Sequence, residues 1–265
     1  MTSDPLFTGP ELCGLEAHEI VTLLKAKEIS SADLIDAAVA RIDQTGPVIN
    51  ATPTLCEARA RTVDLSNQDT TPAGCLAGLP ITIKDLNAVA NVRTTFGTKR
   101  LADFIPQHND PLVDQLERQG AVILGKTNTP EFGAGGNTFN DVFGQTRNPW
   151  NTSLNPGGSS GGAAASLAAG EIWLSHGSDH GGSLRTPAAY CGIVGLRPSP
   201  GIAGGPGQDT AFIIEGVQGP MARSVRDCAL FLDAMSGFDP QIAISYPAPE
   251  IPYQEAVIRG EEKLK

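Results

Sequence analysis

The sequence predicts an α/β fold, a central sheet flanked by helices, and three observations carry that prediction. Leu79-Pro-Ile-Thr-Ile-Lys84 alternates with the period of a strand. A helix-like run from Leu112 to Gln119 meets the breaker Gly120 and then the apolar run Ala121 to Leu124, which makes a helix-to-strand unit. Ser224-x-x-Asp227 reads as a capping box that opens a helix with Val225, Cys228, Ala229, Leu232 and Met235 on one face.

The other elements follow in chain order. Leu15, Ile20, Leu23 and Leu24 suggest a first helix, and Ser31 precedes a second with Ile35, Ala38, Val39 and Ile42 at helical spacing. A third is expected over Leu55 to Leu65, followed by a turn-rich stretch from Ser66 to Gly74. Glycine-rich loops dominate from Gly133 to Gly205, enclosing a helix at Ser160 to Ala169 and short strands at Ile172 to Ser175 and Gly192 to Leu196. Beyond Phe238 the periodicity stops, and residues 239–265 read as a tail.

Composition narrows the function. Thirty glycines and twenty prolines are about a fifth of the 265 residues, below the level of low-complexity disorder, so the chain is expected to fold. Its net charge of −10 repels phosphate backbones and anionic headgroups, which argues against nucleic acid or a membrane surface as direct ligand. The five cysteines are odd in number and widely spaced, which fits reduced thiols, and a basic, apolar leader is missing; both point to a cytoplasmic protein.

The densest chemistry lies in Pro156-Gly-Gly-Ser159-Ser160-Gly-Gly and in Gly177-Ser178-Asp179-His180-Gly181-Gly182-Ser183-Leu-Arg185. A phosphate-binding Walker loop would need a lysine where Ala163 stands, and a dinucleotide fingerprint from Gly133 would need a glycine at Thr138. Gly157 to Gly161 fits the serine elbow of α/β-hydrolases, but too little chain separates Ser159 from His180 for the acid that should come between them. His176 and His180 have the spacing of two metal ligands on a helix, yet the glycines around them disfavour a helix, so no metal is expected. Amide cleavage needs a nucleophile, a base within reach and backbone N–H groups aimed at the developing oxyanion. Serine and lysine supply the first two, and Gly181 and Gly182 leave the main chain free to turn beside Ser183.

These runs, with Lys84-Asp85 at a strand end, Gly125-Lys-Thr-Asn-Thr-Pro-Glu131 and Cys191-Gly-Ile-Val-Gly-Leu-Arg-Pro198, resemble the amidase signature family of serine hydrolases from about Leu15 to Tyr253. The resemblance implies a single domain over 1–265 with a mixed central sheet, and a catalytic Ser–cis-Ser–Lys triad of Ser183, Ser159 and Lys84. It implies a cis Gly158–Ser159 peptide, and a substrate and oxyanion surface formed by Gly133, Ser159, His180, Gly181, Gly182 and Ser183. Ser160 is then a neighbour of the triad, and Asp179 and Arg185 form a buried pair holding the loop. His180 stands where the family usually carries a small residue. The chain is expected to lack the second half of a family member.

The function implied is hydrolysis of a small-molecule amide through an acyl-enzyme, without metal or organic cofactor, in a monomer or a homo-oligomer. Two alternatives stand beside it: an A-type glutamine amidotransferase subunit that passes ammonia to a partner-bound aminoacyl-tRNA, and an inactive truncated remnant. For Lys84 to act as base it must be neutral, and its apolar neighbours Ile81 and Ile83 favour that form through burial.

Overall fold

A computed structural model describes residues 11–204 and 214–263. The expectations that touch residues 1–10, Gly205, Leu264 and Lys265 fall outside the described residues. In chain order the elements are α1 (Glu11–Gly14), α2 (Ala17–Ala26), α3 (Ser31–Ile49), β1 (Thr54–Leu55), α4 (Glu57–Ala60), β2 (Pro80–Lys84), α5 (Pro111–Arg118), β3 (Val122–Thr127), β4 (Phe139–Asn140) and β5 (Gly144–Gln145). They continue with α6 (Gly161–Ala168), β6 (Leu174–Asp179), α7 (Arg185–Cys191), β7 (Val194–Gly195), β8 (Val217–Ala222), α8 (Val225–Met235) and α9 (Tyr253–Lys263).

Six strands form one mixed sheet in the order β1-β3-β2-β6-β8-β7, and β4 and β5 make a small separate hairpin. The central strands β3, β2 and β6 are parallel, and β1, β8 and β7 run antiparallel to their neighbours. All five residues of β2 are buried, as parallel strands covered on both faces require. Lys84 therefore ends a strand in the middle of the sheet, at the carboxyl edge where α/β proteins place their sites.

Helix α6 has the sequence Gly-Gly-Ala-Ala-Ala-Ser-Leu-Ala, and its smallness is a packing requirement. A Cβ on Gly162 would lie 2.4 Å from the backbone nitrogen of Asn128, just past the end of β3. The helix thus approaches the sheet backbone to backbone, and its first residue follows directly on Ser159-Ser160.

Several expectations are corrected here. The third helix shrinks to α4, Glu57–Ala60. Ser30 caps α3, accepting the Asp33 N–H, and Ser31 is its first residue. Strand β6 starts later than expected and runs straight into the glycine-rich motif, so His176, Ser178 and Asp179 sit on a strand. Residues 239–265, expected to be a tail, contain α9, whose Tyr253 packs against the core; the Tyr253 and Gln254 amides donate to Asp233 of α8 at 2.7 and 3.0 Å.

Ser224 caps α8 as expected, accepting the Asp227 N–H, but the Asp227 carboxylate does not complete the box. It accepts the Ala17 and His18 amides at 2.8 and 2.9 Å and the His18 Nδ1 at 2.8 Å, so it caps α2 from 210 residues away. The hydrogen bond to Asp227 raises the His18 pKa above its ordinary value against the opposing effect of burial. A raised histidine stabilises fully below its unfolded pKa, about 6.5, and loses that contribution as pH climbs through the folded value. We expect His18→Asn to cost about 1 kcal/mol near pH 5.5, a Tm drop of roughly 2–4 °C, with the gap narrowing by pH 9. Thermal melts of both proteins across that range check this, and a gap that widens with pH contradicts it.

Candidate active site

Lys84 is fully buried, and its Nζ lies 2.6 Å from Ser159 Oγ, 2.9 Å from Ser160 Oγ and 3.1 Å from Ser178 Oγ. Three hydroxyls, and no carboxylate among the described residues, hydrogen-bond to the amine. Burial pushes its pKa down from the usual lysine range to about 7, and the Asp179 charge opposes this only in part. Near neutral pH a large fraction of Lys84 is thus unprotonated and able to accept a proton from Ser159.

The Gly158–Ser159 peptide is cis. Ser159 does not serve as a helix cap: α6 begins after Ser160, and neither serine caps it with its side chain. Ser160 instead donates to the Ser178 carbonyl at 3.1 Å and accepts the Ser178 amide at 3.2 Å, tying the Ser159 loop to β6 beneath the lysine. A Cβ on Gly133 would approach Ser159 Oγ to 3.5 Å and would collide with Leu86, so Gly133 keeps open the space beside Ser159. Its φ of +70° is a second reason for glycine there.

Ser183 is half-buried, and the Ser160 N–H donates to its carbonyl at 3.2 Å, which brings the two motifs together. Its hydroxyl takes no hydrogen bond among the described residues, and α7 starts after Leu184, so Ser183 is not a cap either. Asp179 performs the capping. Its carboxylate accepts the Gly182 amide at 2.8 Å and the Leu184 amide at 3.1 Å, bracketing Ser183. Arg185 forks onto the same carboxylate at 3.1 Å through both Nε and an Nη, and Arg197 adds a 2.9 Å contact. Burial pushes the Asp179 carboxyl up, but the bonds from Arg185, the two amides and Arg197 outweigh it and hold the group well below the usual carboxylate range.

Two details differ from expectation. The Gly182 N–H is committed to Asp179, whereas the Gly181 and Ser183 amides have no partner among the described residues and are the donors left for an oxyanion. In the Asp179–Arg185 pair only the aspartate is buried, Arg185 being 57% exposed, and Arg197 is a second, more enclosed partner absent from the expectation. His180 is exposed, close to Gly216 at the entry to β8. His176, by contrast, is fully enclosed and uses both ring nitrogens within the chain, toward the Lys84 amide at 3.4 Å and Gln218 at 2.8 Å.

A second buried lysine lies on the neighbouring strand. Lys126 Nζ donates to the Asn87 carbonyl at 2.6 Å and Thr94 Oγ1 at 2.9 Å, with Asp85 at 3.4 Å. Burial lowers its pKa to about 8, with Asp85 opposing. It anchors the segment after β2 rather than facing the serines. A lysine two residues past the apolar run Val122 to Leu124, in a strand buried throughout, is the sequence signal for it.

Among the described residues no helix is long and apolar enough to cross a membrane. The family model described as Amidase matches residues 33–265. The A subunit of glutamyl-tRNA(Gln) amidotransferase from Carboxydothermus hydrogenoformans is 45% identical over 240 residues, 89% of this chain and 49% of that protein. The solved structure of 6-aminohexanoate cyclic dimer hydrolase with its substrate superposes at a TM-score of 0.83 with 33% identity, over 94% of this chain and 52% of the hydrolase. A bacterial aryl acylamidase of the amidase signature family gives 0.84 at 33% identity, over 92% of this chain and 52% of its own. The chain spans about half the length of the relatives it matches. A family match over most of the chain, a common mixed-sheet fold and the serine–lysine motifs agree: the chain belongs to the amidase family, with the amidase-signature fold.

Proposed function

We propose that this chain carries the serine–serine–lysine centre of an amide hydrolase. The 2.6 Å contact between a buried, readily deprotonated Lys84 and Ser159 is the observation that supports the reading most. Ser183 Oγ attacks the amide carbonyl carbon as its proton passes to Ser159, and Ser159 gives its own to Lys84. The Gly181 and Ser183 amides receive the oxyanion. On collapse the C–N bond breaks, and the proton returns from Lys84 through Ser159 to the leaving nitrogen. Water, deprotonated along the same path, then cleaves the acyl–Ser183 ester, releasing the carboxylic acid and free Ser183. The substrate is a small carboxamide, and no cofactor enters any of these steps.

A fluorophosphonate probe tests this without knowledge of the substrate. Intact-mass and peptide mass spectrometry should show one adduct on Ser183 that disappears in Ser183→Ala. Folded protein that takes no adduct would leave an inactive remnant.

The glutamyl-tRNA(Gln) amidotransferase A subunits among the relatives favour a second reading, in which the amide is glutamine and the ammonia passes to a partner's substrate. Glutaminase activity that rises on adding such partner subunits supports it. Equal turnover of simple aliphatic or aryl amides by the isolated chain counts against it.

A further inference from the structure

Beneath Lys84 lies a set of buried polar groups that the proton relay does not use. The parallel ladder between β2 and β6 pairs Ile81 with Leu174 and Thr82 with Ser175, then stops. Past that point the Lys84 N–H has no strand carbonyl to meet, and it donates instead to His176 Nδ1 at 3.4 Å. Because Nδ1 accepts, the ring proton resides on Nε2, which donates to Gln218 Oε1 at 2.8 Å. The same Oε1 accepts Asn87 Nδ2 at 2.9 Å, and the Asn87 backbone N–H donates to the Lys84 carbonyl at 3.1 Å. The ring closes: Lys84 N–H, His176, Gln218, Asn87, Lys84 carbonyl.

We propose that His176 and Gln218 are positioning residues for Lys84: with Asn87 they close a hydrogen-bonded ring around its backbone and fix the direction in which its side chain leaves the sheet toward Ser159. The inference rests on the function proposed above. An imidazole bridging the gap lets β2 and β6 part without leaving the Lys84 amide unpaired in the interior, and the parting makes room for Ser159, Ser160 and Ser178 around Nζ. The ring must be neutral to do this. Burial pushes the His176 pKa down to about 3; the hydrogen bond to Gln218 opposes, and the charges of Lys84 and Lys126 add to the lowering. Three carboxylates lie near the ring among the described residues: Asp110, hydrogen-bonded to Asn87 and Gln218, Asp179 at the end of β6, and Asp85, paired with Lys126. Burial outweighs the hydrogen bond to the neutral Gln218, and the imidazole stays unprotonated.

The test is the rate of fluorophosphonate labelling at Ser183 between pH 5.5 and 9.5 in wild type, His176→Leu and His176→Asn. Asparagine can place Oδ1 near the position of Nδ1 and keep an acceptor for the Lys84 N–H; leucine cannot. We expect His176→Leu to label about 10–100-fold more slowly at pH 7.5, with its rising limb moved to higher pH, and His176→Asn to recover to within about threefold. A folded His176→Leu protein that labels at the wild-type rate with an unmoved limb overturns the proposal.

A second readout does not depend on catalysis. In 13Cε-lysine NMR, the Lys84 signal, assigned through Lys84→Arg, should titrate near 7 in wild type and measurably higher in His176→Leu. If wild type fails to label, hydrolysis is the reading that falls, and this titration still decides the positioning role: an unmoved midpoint refutes it. Should the leucine variant not fold, His176→Asn and Gln218→Leu give the same comparison, with the asparagine titrating like wild type and the leucine higher.

Discussion

Lys84→Met is expected to reduce Ser183 labelling by about 10³-fold or more while leaving the protein folded. A positioned general base contributes about 10²–10⁴-fold, and the proposed mechanism uses the same amine in both acylation and deacylation. Methionine matches the volume of the lysine stem without a charge to bury. The stability comparison makes the test specific. Because Lys84 titrates near 7 in the fold and near 10.4 unfolded, the unfolded chain binds more protons between those values, and stability rises with pH across that window. Lys84→Met should abolish that slope, so its Tm equals or exceeds wild type near pH 7 and loses the advantage by pH 10. In wild type the labelling rate should climb with a midpoint near 7 for the same reason. Retained labelling, or a slope that survives the substitution, contradicts the assignment of Lys84.

Asp179→Ala should be the most destabilising single change in the site. It removes the acceptor of the Gly182 and Leu184 amides and of two guanidinium groups, in a side chain with no solvent exposure. Breaking one side of such a buried network costs about 3–5 kcal/mol; with Arg185 and Arg197 both partly exposed and able to rehydrate, the lower end is expected, a fall of roughly 6–12 °C in Tm. Labelling of Ser183 should drop with it, since the turn that presents Ser183 loses both brackets. The folded pKa being depressed, this stabilisation is present above about pH 4 and fades as acid titrates the folded carboxyl. Differential melts at pH 7 and pH 3.5 check the sign: the gap between wild type and Asp179→Asn should shrink on acidification.

Much of this was legible in the residues, and the failures have physical causes. Lys84, Ser159 and Ser183 carry type, order and spacing, and the structure brings the lysine onto Ser159 across 75 residues. Helices α5, α6 and α8 fall within a residue or so of expectation because caps and breakers mark their ends. Strand β8 was missed: Val-Gln-Gly-Pro-Met-Ala carries Gly219 and Pro220 where strand reading expects a turn. It is accommodated because β7 pairs only Met221 and Ala222, and the Pro220 carbonyl accepts the Leu196 amide. Helix α4 was overextended since apolar spacing alone does not mark where α4 ends. The ring of His176, Gln218 and Asn87 left no local signal, because its members are 42 to 131 residues apart and meet only when three elements pack.

The clasp between Asp227 and the start of α2 bears on how the chain is made. The amides of Ala17 and His18 emerge from the ribosome long before their acceptor, which follows 210 residues later. At bacterial-to-eukaryotic synthesis rates of about 5–20 residues per second, that interval is roughly 10–40 s. Helix α2 spends it without its distant cap, with Ile20, Val21 and Leu24 waiting for the core they will join. The clasp can therefore act only after Asp227 has emerged, so substitutions at Asp227 are expected to leave the earlier interval unchanged and to affect the final docking of α2 and the stability of the finished fold.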